Sequence, residues 1–178
     1  MRVFIAIEPP RRVQQALERD AGGIRAGFAH GSFTRRENYH LTLCFLGEIV
    51  PERLPSVVEA MEAVSSPPPV LTVGALGRFS SRPGATIYRS VQFDSTLFHL
   101  QRELCRELAR RGFALEERAY TPHFTVARRA VLREGAALDA LSARGEPLSF
   151  AARSMTLFRS DLTEGKRVYT PLHRCFFT

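Results

Sequence analysis

The feature that most constrains this chain is a four-residue pattern that occurs twice. His40-Leu41-Thr42-Leu43 lies in "NYHLTLCF" (38–45), and His123-Phe124-Thr125-Val126 lies in "TPHFTVAR" (121–128). Each reads histidine, apolar, threonine, apolar. The copies are 123 − 40 = 83 residues apart, close to half of the 178-residue chain. Period-two alternation marks a β-strand, because successive side chains leave a strand on opposite faces. Regular geometry puts His40, Thr42 and Cys44 on one face and Leu41, Leu43 and Phe45 on the other. One such histidine would read as an ordinary hydrogen-bonded packing residue. Two, in equivalent places, predict a pseudo-duplicated fold with a pair of strands facing each other across a cleft.

Apolar spacing predicts the other elements. A strand over 2–8 precedes a helix over 9–27 that is opened by Pro9 and Pro10 and weakened by Gly22-Gly23. A short strand near Phe33-Thr34 and a turn at Glu37-Asn38 lead into the His40 strand. Leu54, Val57, Val58, Met61 and Val64 give a helix over 51–66. Strands over 69–79 and 85–93 flank the turn-rich "SSRPG". The strongest helix spans 94–113, with Asp94 or Ser95 as cap, a Leu97-Leu100-Leu104-Leu108 stripe, and Arg110, Arg111 and Gly112 at its end. A strand over 118–130, a short helix over 132–146 and strands over 146–162 and 166–178 complete the chain, the last two joined by a hairpin at "TEG". The order β-α-β-β-α-β-β-α-β-α-β-β predicts an α+β protein with mostly antiparallel sheets. The Pro-rich "SSPPPV" (65–70) reads as a loop, so residues 1–178 read as one domain.

Composition narrows the function classes. No apolar run approaches the ~20 residues of a membrane span, and "MRVFIAIEPPRR" is too short in apolar residues for a signal peptide. A cytoplasmic protein with no membrane partner is expected. Cys44, Cys105 and Cys175 form no C-x-x-C pair or Cys/His cluster, which predicts reduced thiols and no zinc site. The net charge is +7, and 24 of the 25 basic residues are Arg, Lys166 being the exception. That balance favours a phosphate-bearing partner, nucleic acid first.

Paired histidines suit phosphodiester cleavage without a metal or other cofactor. A base must take a proton from water, and an acid must give one to the departing oxygen. Histidine serves both tasks, since its ordinary pKa of ~6.5 lies near neutrality. In-line attack puts nucleophile and leaving group on opposite sides of phosphorus, where facing strands would hold His40 and His123. Thr42 and Thr125 hydroxyls can donate to the non-bridging oxygens. Arg128 can hold phosphate through two parallel bonds, but its strand parity is opposite to His123 unless the strand bulges or bends near Ala127.

At these residues the chain resembles the two-histidine (2H) phosphoesterases, in particular the bacterial and archaeal RNA 2′,3′-cyclic phosphodiesterases, also described as 2′-5′ RNA ligases. The family's paired H-x-[ST]-x motifs are matched by His40–Leu43 and His123–Val126, and "RVFIAIEPP", "ENYHLTLCFLGEI", "ALGRFSSRPGATIY", "YTPHFTVAR" and "VYTPL" extend the match. The resemblance implies a bilobed α+β fold, with two antiparallel sheets facing across a central cleft and helices outside. It implies metal-independent hydrolysis of RNA 2′,3′-cyclic phosphate ends to 2′-phosphomonoesters, and in some members 2′-5′ joining of RNA ends. It makes His40 the acid, His123 the base, and Thr42, Thr125 and Arg128 phosphate ligands. Relatives often carry Trp where this chain has Phe33 and Tyr88, which leaves those two rings as candidate platforms for a base. The substrate would be RNA, tRNA-derived ends included, or a small cyclic nucleotide, handled by a monomer.

Two other readings have features of their own. A nucleotide- or RNA-binding module of the same fold would be expected to have lost a histidine or threonine, and all four are present. A zinc hydrolase using both histidines lacks a third ligand at recognisable spacing. Tyr39 and Phe45 read as packing residues, His99 as structural, and His30 and His173 lie outside the motifs.

Overall fold

The computed structural model describes residues 1–80, 82–142 and 148–178. Strand β1 (Arg2–Ile7) leads into helix α1 (Arg11–Ile24), which starts after Pro10 and runs on through Gly22-Gly23. Strands β2 (Phe28–Phe33) and β3 (Leu41–Glu48) follow, then α2 (Leu54–Glu62). Strands β4 (Val70–Ser80) and β5 (Ala85–Val91) precede α3 (Ser95–Arg110), and β6 (His123–Leu132) precedes α4 (Leu138–Ser142). The chain ends in β7 (Leu148–Ala151), β8 (Ser154–Thr163) and β9 (Lys166–Phe176). Part of the expected 132–146 helix and the start of the 146–162 strand lie outside the described residues, as does position 81 of the "SSRPG" turn. Among the described residues no helix is long and apolar enough to cross a membrane.

The expected 146–162 strand is two strands. Between them Ala152 is buried and its amide donates to the Pro69 carbonyl. There the chain leaves one edge of the sheet for the far half. The order is β7-β4-β5-β6-β3-β1-β8-β9, with β2 also paired to β6, and every pairing is antiparallel. In a flat sheet β7 and β8 would be about 29 Å apart, six inter-strand steps. The three Cα steps from Ala151 to Ser154 reach at most about 11 Å. The sheet must therefore curl strongly, as a half-barrel does.

This corrects the expectation of two separate sheets. All nine strands belong to one sheet, but its halves are joined lightly: Leu41↔Phe124 is the one β3–β6 pair among the described residues. Both side chains are fully buried. On their side of the sheet, Ile5 and Ile7 of β1 and Leu157 of β8 pack with Val13 and Leu17 of α1, Val57 of α2 and the leucine stripe of α3. Asp94 caps α3 by accepting the Leu97 amide at 2.7 Å. Each fully buried leucine of the stripe contributes about 1.5–3 kcal/mol, so α3 is held by burial more than by propensity. A second cluster (Ile24, Phe28, Ile87, Val126, Ala127) sits under β2, β5 and β6.

One ion pair ties α1 to the second half of the sheet. Arg89 Nε and Nη2 donate to the Asp20 carboxylate at 2.7 and 2.6 Å, with side chains 5% and 11% exposed. Arg89 Nη1 also donates to the Ser142 carbonyl, which brings in α4. Asp20→Ala strands this guanidinium in the interior and is expected to cost about 3–5 kcal/mol, read by urea denaturation. A loss of under about 1 kcal/mol would mean that the pair counts no more than a surface one.

Candidate active site

The Leu41↔Phe124 pair fixes the relation of the two motifs. Carried one step either way in the antiparallel sense, it sets His40 across from Thr125 and Thr42 across from His123. The cavities beside the junction have the same partition. His40, Thr125 and Arg128 line one small pocket, with Thr34, Asn38 and Tyr169. Thr42 and His123 line the next, of about 130 Å³, with Phe45, Phe79 and Tyr120 among its walls. Each histidine thus shares a pocket with the threonine of the other motif.

Two matching bulges complete the constellation. Ala6 pairs with Thr42 and Ile5 with Cys44, so Leu43 is an extra residue in β3. Tyr88 pairs with Thr125 and Ile87 with Ala127, so Val126 is an extra residue in β6. Each bulge falls on the last residue of its motif and reverses the parity of the strand beyond it. Leu43 and Cys44 are therefore both buried, as are Val126 and Ala127. Cys44 turns into the core, against the expectation from unbroken alternation, and Phe45 joins Phe4, Phe158 and Tyr169 on the other side. The same reversal returns Arg128 to the histidine side, where it lines the His40 pocket.

Both histidines are oriented by their own chain. His40 Nδ1 lies 2.7 Å from the Asn38 carbonyl, and His123 Nδ1 lies 2.7 Å from the Thr121 carbonyl. A carbonyl only accepts, so Nδ1 carries the hydrogen and Nε2 is left for chemistry. Each imidazole also sits against a phenylalanine and a tyrosine. Phe4 and Tyr169 are 4.8 and 5.1 Å from His40 between ring centres; Phe79 and Tyr88 are both 5.1 Å from His123. Burial pushes His40 down to about 4, aided by the positive charge of Arg128 and opposed by the Asn38 bond. His123 is lowered for the same first reason, opposed by its bond to Thr121.

Phe33 and Tyr88 are placed differently from one another. Phe33 packs edge-to-face on Phe28, and the Arg25 guanidinium covers its ring at 4.6 Å. Tyr88 stacks on Phe79 at 4.4 Å and touches His123. Its ring lies across β4 over Gly77, where an added Cβ would collide with it. Sequence reasoning missed Phe4, Phe79 and Tyr169; the "VYTPL" and "ALGRF" segments held two of them, with no periodicity to mark them. Tyr39 is buried and donates to the Leu17 carbonyl, a packing role. His30 and His99 are exposed, and His173 lies 3.3 Å from Glu62. Among the described residues no three His, Cys, Asp or Glu side chains come together around a metal-sized space.

The LigT-like phosphoesterase profile matches twice in succession, over residues 7–88 and 90–169, one histidine motif in each segment. A Thermotoga maritima RNA 2′,3′-cyclic phosphodiesterase is 29% identical over 99% of this chain and 96% of its own length. One from Geobacillus stearothermophilus is 33% identical over 71% of this chain, a match that spans 41% of the relative. The crystal structure of E. coli LigT with 3′-AMP superposes with a TM-score of 0.83 at 26% identity, covering 99% of this chain and 98% of that one. With both halves matched by the profile and nearly the whole chain by the relatives, this protein belongs to the LigT-like phosphoesterase family.

Proposed function

We propose that this protein hydrolyses the 2′,3′-cyclic phosphate at an RNA end to a 2′-phosphomonoester, without a metal, in one two-lobed domain whose cleft is complete in a monomer. The observation that carries the reading is the crosswise setting of each histidine against the other motif's threonine. A phosphate at the junction has a Thr42 and a Thr125 hydroxyl for its non-bridging oxygens and an imidazole on either side. His123 Nε2 takes a proton from water as its oxygen attacks phosphorus. His40 Nε2–H gives a proton to the 3′-oxygen as the P–O3′ bond breaks. This division of roles rests on the family resemblance. Thr42, Thr125 and Arg128 hold the charge that builds on the phosphate. Relatives named RNA 2′,3′-cyclic phosphodiesterases, a relative crystallised with 3′-AMP and the +7 charge all support a nucleotide substrate. A 5′-hydroxyl in place of water, attacking through the same steps, would join ends through a 2′-5′ linkage as the 3′-oxygen leaves.

The direct test is hydrolysis of a short RNA ending in a 2′,3′-cyclic phosphate, in EDTA, with the products resolved. The wild type yields the 2′-phosphate. His40→Ala and His123→Ala each lose roughly 10²–10⁴-fold in turnover, and Thr42→Ala or Thr125→Ala on the order of 10–10³-fold. Tight, salt-sensitive binding without turnover would instead make the protein a binding module.

Acidity gives a second test. Both imidazoles are lowered in the free protein, so the bell-shaped kcat/KM profile peaks below pH ~6.5, whichever histidine is the acid. The bound phosphodiester anion favours imidazolium, so the kcat optimum lies at higher pH than that of kcat/KM. A kcat/KM optimum at or above neutrality would contradict the site as described. A substrate with sulfur at the 3′-bridging position separates the roles, since a thiolate departs without a proton: His40→Ala regains most of the wild-type rate on it and His123→Ala does not. The opposite pattern would exchange acid and base.

A further inference from the structure

Two thiols meet beneath the His40 strand. Cys44 directly follows the bulge of β3 and is buried at 4% exposure; Cys105 is half-buried on α3. Their sulfurs are 2.8 Å apart across 61 residues of sequence. Gln101 Nε2 donates to Cys105 Sγ at 3.1 Å. Both cysteines line the cavity that holds Thr42 and His123, and Cys105 is the more exposed of the two. Cys175, on β9, is the third free thiol.

We propose that Cys44 and Cys105 form an oxidisable dithiol, which a small-molecule disulfide converts to an intramolecular disulfide stapling β3 to α3. Cys105 is the attacking group: it is the less buried of the two, and its bond to the Cys44 sulfur lowers it, while the same bond and burial raise Cys44. Cys105 sulfur attacks one sulfur of R–S–S–R, and R–SH leaves with the Cys105 proton. Cys44 sulfur then attacks Cys105 Sγ of the mixed disulfide, and the second R–SH leaves with the Cys44 proton. Two protein thiols are oxidised and one R–S–S–R is reduced to two R–SH. Closing the bond brings the sulfurs from 2.8 Å to about 2.05 Å. A movement this small leaves the backbone at Thr42 in place, so the staple acts on stability and not by displacing the phosphate ligands.

The test uses the full chain, air-purified, reduced, then incubated with excess oxidised glutathione and alkylated. The expected product has neither Cys44 nor Cys105 alkylated and gives a Cys44–Cys105 cross-linked peptide in the mass spectrum, with Cys175 either alkylated or carrying glutathione. Its Tm is higher than the reduced protein's by roughly 4–16 °C, and dithiothreitol reverses the gain. Cys175→Ser still cross-links, and Cys44→Ala stops at the Cys105 mixed disulfide with glutathione. Three alkylatable thiols after oxidation, a stable mixed disulfide at Cys105 of the wild type, or a cross-link that lowers Tm would each overturn the proposal. None of these readouts depends on phosphodiesterase activity.

Discussion

One strand pair organises the molecule. Leu41 and Phe124 make the junction between β3 and β6, and the four-stranded runs on either side meet there. Both side chains are fully buried, so the junction is fastened by core packing from behind as well as by its own hydrogen bonds. A shift of one residue at that pair would turn one motif inside out against the other, with its histidine facing the core and its apolar residues facing water. The burial of Leu41 and Phe124 thereby enforces the outward aim of His40, Thr42, His123 and Thr125. The core and the site are the two faces of the same register.

The supports of the two histidines differ from the carboxylate–histidine arrangement familiar in hydrolases. Each Nδ1 meets a neutral backbone carbonyl two residues upstream, and each ring leans on a Phe–Tyr pair. These contacts fix tautomer and direction without supplying a negative charge. Phe4 and Tyr169 come from β1 and β9, Phe79 and Tyr88 from β4 and β5, so each half of the sheet supplies the rings for its own histidine. Gly77 belongs to this support, because only a residue without Cβ leaves room for the Tyr88 ring over β4.

Much of this was legible in the sequence, and the parts that were not have physical reasons. The helical stripe of α3, its Asp94 cap and the duplicated motif are local patterns, and the structure contains them where they were expected. The bulges depend on the register of β1 and β5 against their partners, which no local pattern records. A trace exists all the same: Leu43-Cys44 and Val126-Ala127 are adjacent apolar residues that interrupt alternation. Taking the first interruption as a bulge puts Cys44 in the core, and the second is the bulge near Ala127 that Arg128 requires to reach the site. The single sheet escaped notice because one pair joins its halves, and the break at Ala152 because the 146–162 segment has no strong turn signal at that point. Nor does any local pattern record that the Arg25 guanidinium lies over the Phe33 ring.

The crosswise pairing of histidine and threonine makes the two halves of this chain interdependent. Neither residues 7–88 nor residues 90–169 hold a histidine opposite a threonine from another strand, although each carries both residue types. A solitary half-unit could assemble the constellation only by meeting a second copy around a two-fold axis, motif strand against motif strand. Joining the copies in one polypeptide removes that concentration dependence. It also frees the two sides to diverge, and they have: Phe45 stands five residues after the first histidine, and Arg128 stands at the same distance after the second.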